Sequence, residues 1–335
     1  MCNKNLIIVA GAQKAGTTTI WSSLIKHESI YPLRMSSGKT GPHGKKTKEP
    51  GFFALEKNVV KEKIKWYKSL FGEKDGWYVD ASNAYLLSPN FPNILAEVPF
   101  TVKIIVVLRD PVDRLLSAWL HASGGPGGTS YERRSFEEIV NHIWSNREQG
   151  IAEAEDDSIN KAILNEKVDK DHFVSQYSKY RINISTADIQ DPLWMYKYFQ
   201  NSMYSNRISE LNSYIGDTHI LTLEDIKHSF SKSIHKIFRH VGVEQVEVEN
   251  IHNNKSEFTS YWWKKIAKYV RKMSYLENLL DSRAVGRIKN AIRPKKTRKE
   301  ISKSFKEYIS KSKKLLQPEY EHWKCKRPNI YAQWS

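Results

Sequence analysis

The first two dozen residues constrain the fold of this chain more than any other segment. An uncharged apolar run at 6–10 predicts a buried strand, and apolar residues recur at helical spacing from position 20 onward. Between these two patterns lies a loop that contains Gly11, Lys14 and Gly16. A strand, a glycine-containing loop and a helix form the geometry in which backbone N–H groups and a helix N-terminus bind phosphate. The segment therefore predicts an α/β fold with a phosphate site near the start of the chain.

The loop departs from the one found in nucleotide triphosphatases. That motif requires a lysine directly after the second glycine. Here the position is occupied by Thr17, and the loop carries its lysine earlier, at Lys14. With the hydroxyls of Thr18 and Thr19 following, we interpret the loop as suited to a 5′-phosphate and a group leaving from it. Mg-bound β- and γ-phosphates fit it less well.

A second strand and helix lie between positions 101 and 121. The β-branched run at 102–108 predicts a parallel strand buried on both faces. Asp110 suits the N-cap position of the helix that follows, and Pro111 suits its first helical position. The apolar residues of this helix share one face at helical spacing: Val112, Leu115, Leu116, Trp119 and Leu120.

The polar residues of the same helix form a stripe on its opposite side. They are Arg114, Ser117 and His121, and Arg109 ends the preceding strand. Ligands of α/β proteins bind at the carboxyl ends of the strands, so Arg109 and the stripe are candidates for one crevice. Taken in isolation, the segment is better explained by an Arg109–Asp113 ion pair and a merely solvated stripe.

Two motifs in this order resemble those of sulfotransferases that use 3′-phosphoadenosine 5′-phosphosulfate. Residues 13–18 resemble the 5′-phosphosulfate loop of that family, and residues 109–117 its strand-Arg-Asp-Pro-x-x-Arg-x-x-Ser motif for the 3′-phosphate. The resemblance implies a three-layer α/β fold of the P-loop NTPase type, with a central parallel sheet flanked by helices. It also implies the residues that bind the cofactor: Lys14, Ala15, Gly16, Thr17, Thr18 and Thr19 at its 5′ end, and Arg109 and Ser117 at its 3′-phosphate.

A third motif, at 47–53, resembles a string that places a glutamate beside the acceptor hydroxyl in glycosaminoglycan sulfotransferases and their bacterial relatives. Glu49 matches that glutamate. The resemblance implies that Glu49 removes the hydroxyl proton, while Lys14 stabilises the leaving phosphate and the bridging oxygen. Glu49 could instead be a surface carboxylate paired with Lys48. His121 is a second candidate for the base, and a structural or solvated role for it remains open.

The implied reaction is transfer of a sulfuryl group from 3′-phosphoadenosine 5′-phosphosulfate to a hydroxyl, or less readily an amine, of a carbohydrate acceptor. No metal is expected. The chain looks closer to the bacterial glycan-type branch than to the animal enzymes, because Ala81 stands where those carry a lysine. Two alternatives stay open: a kinase that uses Mg-ATP on the same scaffold, and a non-catalytic polyanion-binding protein.

The net charge indicates an anionic partner. The chain has 53 basic and 37 acidic residues, which gives a formal charge of +16. Zinc-ligand spacing, a recognition-helix pattern and an RNA-binding aromatic signature are all missing from the sequence, which argues against a nucleic-acid partner. An anionic cofactor, with an acidic glycan as a possible acceptor, explains the sign equally well.

We expect a single sulfotransferase domain over 1–335. Its predicted peculiarities are insertions around 123–130 and 151–172, and a basic helical region at 257–335. The glycine-rich 123–130 is interpreted as a lid over the acceptor or as a plain surface loop. The acidic stretch from 151 to 170 is predicted to be exposed.

Compartment and assembly are less constrained. The two cysteines lie at opposite ends of the chain and form no metal or redox motif. The apolar runs are too short for a signal sequence or a membrane span, so we expect a cytoplasmic protein. The sequence leaves the oligomeric state open.

Overall fold

A computed structural model describes residues 4–35, 45–124, 131–169, 171–177, 184–216, 218–249 and 305–334. Across these ranges, six strands form one sheet, with helices on both of its faces, as predicted. Most of the glycine-rich segment 123–130 and most of the basic region 257–335 lie outside the described residues. The strands are β1 (Lys4–Gly11), β2 (Ile30–Met35), β3 (Lys45–Thr47), β4 (Trp77–Asp80), β5 (Phe100–Leu108) and β6 (Thr218–Thr222).

The sheet has the strand order β3-β2-β4-β1-β5-β6. Each neighbouring pair is parallel except β2 and β3, which pair antiparallel at one edge. The central strand β1 lies between β4 and β5, and its residues Leu6 to Ala10 are completely buried. A strand covered by helices on both faces reads as a continuous apolar run, which explains why β1 and β5 were evident from sequence.

Helices connect the strands and cover the sheet. Between β1 and β6 lie α1 (Thr17–Leu24), α2 (Lys57–Lys68), α3 (Phe91–Glu97), α4 (Pro111–Ala122), α5 (Phe136–Ser145), α6 (Ile151–Leu164), α7 (His172–Tyr177) and α8 (Tyr204–Ile215). After β6 the described helices are α9 (Leu223–His228), α10 (Phe230–Val241), α11 (Lys306–Leu315), α12 (Gln317–Lys326) and α13 (Pro328–Tyr331).

Helix α4 begins as its sequence predicts. The Asp110 side chain accepts a hydrogen bond from the Asp113 backbone N–H at 2.7 Å, and Pro111 is the first helical residue. The predicted apolar face is buried: Val112, Leu115, Leu116 and Trp119 are at most 7% exposed, and Leu120 packs against the core. The N-cap and proline fix where the helix starts, and this places Arg109 directly before it.

Arg114 corrects one prediction, because it is not part of a solvent-facing stripe. Its side chain is completely buried. The guanidinium donates to the Ser202 hydroxyl through Nε at 2.9 Å and to the Tyr198 carbonyl through Nη2. The short helical turns before α8 pack on this side of α4, so a stripe that is polar in sequence becomes an internal contact.

The stretch from 151 to 170 is exposed only in part, so the prediction of an exposed segment is wrong for its buried side. It contains α6, which packs against α5, and Glu155 in it is completely buried. The Glu155 carboxylate accepts from the backbone N–H groups of Phe199 and Gln200, each at 2.8 Å. The acidic residues suggested an exposed segment, but the Glu155 carboxylate instead satisfies two backbone donors inside the protein.

The C-terminal helices return to the carboxyl ends of the strands. Glu319 of α12 accepts from the backbone N–H groups of Tyr204 and Ser205, at 2.9 and 3.0 Å, where α8 begins. The next residue, Tyr320, donates its hydroxyl hydrogen to Asp110 at 2.8 Å. The end of the chain therefore supports the N-termini of both α8 and α4.

Candidate active site

The loop between β1 and α1 is packed tightly against its surroundings. Ala12 N–H donates to the Val107 carbonyl of β5 at 2.7 Å, and Ala15 N–H donates to the Ala12 carbonyl at 3.2 Å. Gly16 has φ 100°, and a Cβ there would lie 2.9 Å from Cδ1 of Leu223. The positive φ favours glycine at this position, and any larger residue would also have to displace the end of the Leu223 side chain. The loop is therefore a compact turn that leads directly into α1.

Helix α1 starts at Thr17 without a side-chain cap among the described residues. The first N–H groups of a helix have no partner within the helix and carry the positive end of its dipole. Thr17 is buried, and Thr18 and Thr19 are half-buried. The start of α1 thus presents backbone donors and threonine hydroxyls in the place where the loop motif predicts a phosphate.

Arg109 directly follows the carboxyl end of β5, and its side chain contacts this loop. Its Nη1 donates to the Lys14 carbonyl at 3.0 Å, and its Nη2 contacts Asp113 Oδ2 at 3.3 Å. The Arg109–Asp113 ion pair considered from the sequence is therefore present, but it is not the whole role of the guanidinium. Arg109 is only 4% exposed, and its Nε is buried with no partner among the described residues.

Glu49 is brought to the loop by the chain segment that follows β3. The Lys48 carbonyl accepts from Ala81 N–H at 2.8 Å, which fixes the segment to the end of β4. The Lys48 ammonium pairs with Glu49 and also lies 3.4 Å from Thr17 Oγ1. The predicted Lys48–Glu49 pair therefore exists, and it lies at the start of α1 rather than on a remote surface.

The charged groups around the loop influence one another. Burial lowers the pKa of Lys14, and the neighbouring cations Arg109 and Lys48 lower it further, while Glu49 opposes them. Three cations close together are costly without an anion between them. The structure thus brings together Lys14, Arg109, Glu49 and the start of α1, and adds Lys48, a residue that the sequence analysis treated only as a partner of Glu49.

Ser117 and His121 lie further along α4. A helix rises about 1.5 Å per residue, so Ser117 is about 9 Å and His121 about 15 Å from Pro111 along the axis. Ser117 is half-buried. His121 lies in the last turn of α4, with its Nδ1 buried. Since Arg109 precedes the first turn, the helix separates His121 from it, whereas Glu49 is the candidate base that lies at the loop.

An open cleft of about 580 Å³ lies at the start of α7. Helix α7 contributes His172 to the cleft, and at its other end the Tyr177 hydroxyl donates to the Gly51 carbonyl at 2.8 Å. Gly51 is two residues after Glu49, so α7 links the cleft to the candidate base. The cleft is lined by Tyr131, Arg133, Ile163, Glu166, Val168, Asp169 and His172.

The described ranges lack both a metal-binding cluster and a membrane-spanning helix. No group of three or more His, Cys, Asp or Glu side chains there has a geometry that could hold a metal ion. Among the helices in the same ranges, none has both the length and the apolar character that crossing a bilayer requires.

Comparison with known proteins identifies the fold. No family model and no curated protein matches the chain. Among solved structures, a sulfotransferase from Alicyclobacillus acidocaldarius covers 83% of this chain and 96% of its own, with a TM-score of 0.51 and 18% identity. Two more distant matches are the sulfotransferase domain of the curacin biosynthetic pathway (11% identity, 76% and 81% coverage, TM-score 0.35) and that of the Synechococcus PCC 7002 olefin synthase (14%, 73% and 75%, 0.32). The chain has the fold of the Alicyclobacillus sulfotransferase over most of its length.

Proposed function

We propose that the chain is a sulfotransferase that uses 3′-phosphoadenosine 5′-phosphosulfate as its donor. The observation that supports this most is the contact between Arg109 and the Lys14 carbonyl. It joins the two motifs that the resemblance to sulfotransferases assigns to the 3′-phosphate and the 5′-phosphosulfate. Two neighbouring anion sites fit a sulfuryl donor that carries negative charge on both its 3′-phosphate and its 5′-phosphosulfate.

The chemistry of the site agrees with such a donor. The start of α1 lacks a side-chain cap within the described part of the chain, and the Arg109 Nε there is a buried donor without a partner. Burial lowers the pKa of Lys14, and the nearby cations Arg109 and Lys48 lower it further. A phosphate or sulfate placed among them would satisfy the orphan donors and relieve the repulsion between the cations.

In the proposed reaction, the acceptor oxygen forms a bond to sulfur as the bond from sulfur to the 5′-phosphate oxygen breaks, which leaves adenosine 3′,5′-bisphosphate. Lys14 and the first N–H groups of α1 would stabilise the charge that develops on the departing phosphate. Lys48, 3.4 Å from Thr17 Oγ1, would add a second cation on the same side. Arg109 and Ser117 would select the 3′-phosphate.

Glu49 is proposed as the base that takes the hydroxyl proton of the acceptor. Its side chain is 38% exposed, so an acceptor can reach it from solvent. Its carboxylate pairs with the Lys48 ammonium, which holds it at the loop. A base that is accessible and adjacent to the donor site meets the geometric requirement for proton transfer.

For the acceptor we propose a carbohydrate hydroxyl, bound in the cleft beside α7. Arg133, Glu166 and Asp169 give this cleft hydrogen-bonding groups of both signs, and Ile163 and Val168 give it apolar surface. Sugars present hydroxyls and C–H faces together, so a cleft with mixed lining suits them. Arg133→Ala is expected to raise the KM for the acceptor and to leave donor binding unchanged.

The test of the proposed function is thermal stabilisation by adenosine 3′,5′-bisphosphate compared with Mg-ATP at equal concentration. A ligand at a hundred times its Kd adds roughly 2.7 kcal/mol, which shifts Tm by several degrees for a chain of this size. Stabilisation by the bisphosphate alone supports the proposal. Stabilisation by Mg-ATP alone would indicate a kinase, and stabilisation by neither would indicate a polyanion-binding protein.

A further inference from the structure

A buried carboxylate lies at the carboxyl end of β4, next to the segment that carries Glu49. Asp80 is completely buried, and four donors converge on it. The hydroxyls of Tyr67 and Tyr85 donate to Oδ2 at 2.8 and 2.7 Å, and the backbone N–H and hydroxyl of Ser82 donate to Oδ1 at 3.0 and 2.7 Å. An ionised carboxylate has only acceptor sites, and its two oxygens can accept all four of these hydrogen bonds.

Ser82 connects this carboxylate to the candidate base. Because its hydroxyl hydrogen is committed to Asp80, its oxygen is left as an acceptor, and Gly51 N–H donates to it at 2.9 Å. The residue before Ser82, Ala81, donates its backbone N–H to the Lys48 carbonyl at 2.8 Å. The segment 48–51 is therefore fixed at both of its ends to residues 81 and 82.

Glu49 lies between these two anchors. The carbonyl of Gly51 is held as well, by the Tyr177 hydroxyl at 2.8 Å, so both polar groups of that residue have long-range side-chain partners. The two anchors leave the backbone of Glu49 little freedom to move. The position of its carboxylate relative to Lys14 and Thr17 thus depends on contacts that are remote in sequence.

We propose that Asp80 and Ser82 are positioning residues that hold Glu49 in place for proton transfer: Asp80 orients the Ser82 hydroxyl, and Ser82 anchors the Gly51 backbone N–H. The proposal rests on the function proposed above, in which Glu49 is the base. Neither residue touches the reacting atoms.

The chemistry of the cluster supports a role beyond packing. A completely buried carboxylate carries a large desolvation cost, and apolar residues of similar volume commonly stabilise a protein as well or better. The hydrogen bonds of Asp80 and Ser82 instead specify one arrangement of the segment 48–51. A displacement of about 1 Å at a catalytic group can lower a rate about a hundredfold, so such specification has a direct consequence for turnover.

The test is a double-mutant cycle between Ser82 and Glu49. Turnover is measured as release of adenosine 3′,5′-bisphosphate from the phosphosulfate donor, with water and with a set of simple sugars as acceptors. We expect Ser82→Ala to lower kcat about tenfold to a hundredfold, part of the factor of about 10² to 10⁴ that a general base contributes. The donor KM should not change. In a Glu49→Gln background, the same substitution should lower kcat less than about threefold, because the group it positions is already gone.

Two variants serve as controls. Ser82→Thr keeps a hydroxyl at the position and should recover most of the kcat. Ser88→Ala removes another buried hydroxyl of the same neighbourhood, one that donates to the Ala84 carbonyl at 3.1 Å, and should leave turnover unchanged. An equal loss from Ser82→Ala in both backgrounds, or a loss from Ser88→Ala of the same size, would overturn the proposal.

A second readout separates this proposal from the proposed function. Hydrogen exchange of the Gly51 amide, followed by NMR, should be at least tenfold faster in Ser82→Ala than in wild type and unchanged in Ser88→Ala. Unchanged exchange in Ser82→Ala overturns the anchoring itself. A wild-type protein that shows no turnover, with the exchange effect present, overturns the proposed function and the catalytic part of this proposal while supporting the anchoring.

Discussion

The Nη1 atom of Arg109 donates to the carbonyl oxygen of Lys14 at 3.0 Å, across 95 residues of sequence. Each residue belongs to one of the two motifs that the sequence links to the donor. The contact means that the loop after β1 and the end of β5 are parts of one site. A change at Arg109 will therefore alter the shape of the loop as well as the recognition of a 3′-phosphate.

Ser117 provides the cleaner test of 3′-phosphate selection, because it lies on α4 beyond this contact. We expect Ser117→Ala to weaken binding of adenosine 3′,5′-bisphosphate by about tenfold to a hundredfold, the effect of one hydrogen bond to a charged group. Binding of adenosine 5′-phosphosulfate, which lacks the 3′-phosphate, should not change. Calorimetric titration with both nucleotides measures this. Equal losses for both would place Ser117 outside the 3′-phosphate site.

Arg109→Ala is expected to weaken the binding of both adenosine 3′,5′-bisphosphate and adenosine 5′-phosphosulfate, with the larger effect on the bisphosphate. The guanidinium is proposed to bind the 3′-phosphate, and its contact with the Lys14 carbonyl also shapes the 5′ loop. Arg109→Lys should not restore binding, because an ammonium lacks the fork that bonds two oxygens at once. The same titrations check this. Full recovery in the lysine variant would contradict bidentate recognition.

The parts of the site that follow from local sequence were predicted. The buried run of β1, the glycine loop, and the Asp110–Pro111 start of α4 each depend on neighbouring residues, and the structure confirms these elements. Buried polar contacts between distant segments could not be predicted in this way. Arg114 has the helical spacing of a surface residue but is buried. Its hydrogen-bond partners lie far away in sequence, at 198 and 202.

Lys48 shows the same limit within the site. Its adjacency to Glu49 in sequence suggested a surface pair, and only the sheet order, which puts β4 between β2 and β1, brings the pair to Thr17. Asp80 offered no local signal either, since its four donors come from positions 67, 82 and 85. The catalytic and binding roles of the predicted residues stay predictions.

Lys14 and Lys48 should differ in their effect on turnover. Lys14 belongs to the loop and is proposed to face the departing phosphate, so Lys14→Ala should lower kcat about a hundredfold or more. Lys48→Ala should lower it less, about tenfold, because the Lys48 ammonium is already engaged by Glu49 and by the Thr17 hydroxyl. Single-turnover assays of donor consumption measure both. A larger effect at Lys48 would make it the principal cation of the reaction.

Gly51 permits a matched test of how tightly the segment of Glu49 is held. It has φ 72°, and an added Cβ would lie 2.6 Å from the Tyr177 hydroxyl oxygen. Gly216 has nearly the same φ, 74°, but nothing lies within 4 Å of its Cβ position. Each alanine variant incurs about 1–2 kcal/mol of backbone strain, and only Gly51→Ala also displaces its neighbours.

We therefore expect Gly51→Ala to lower both stability and turnover, and Gly216→Ala to lower stability alone. Urea unfolding and donor turnover of the two variants provide the comparison. Equal turnover in the two proteins, at equal loss of stability, would show that the segment tolerates the displacement.

Tyr320 joins the C-terminal helix α12 to the N-cap of α4. Its hydroxyl donates to Asp110 Oδ2 at 2.8 Å. Tyr320→Phe removes this bond and should lower the free energy of unfolding by about 1.5–3 kcal/mol, as for a hydrogen bond to a carboxylate. Tyr214→Phe, at a position 51% exposed, serves as the control and should change it by less than about 0.5 kcal/mol. Urea denaturation distinguishes them, and equal effects would show that the Tyr320 contact does not support α4.

The pH dependence of stability should carry the signature of Asp80. Burial raises the pKa of this carboxyl from 3.8 to about 6, and the hydrogen bonds from Ser82, Tyr85 and Tyr67 limit the rise. Between these two values the folded protein holds a proton that the unfolded chain has released. Stability therefore falls as pH rises through this interval, by about 1.4 kcal/mol for each unit of pKa difference.

Asn at position 80 does not titrate, so Asp80→Asn should lack this fall. The advantage of the wild type over the variant is then largest near pH 4, shrinks up to about pH 6, and stays constant above it. Urea unfolding of both proteins from pH 4 to pH 7.5 measures the difference in their free energies of unfolding. The contributions of the other carboxylates are the same in both proteins and cancel in this difference. A wild-type advantage that grows with pH would mean that the four donors outweigh burial and hold the pKa of Asp80 below 3.8, with the carboxylate ionised throughout the working range of the site.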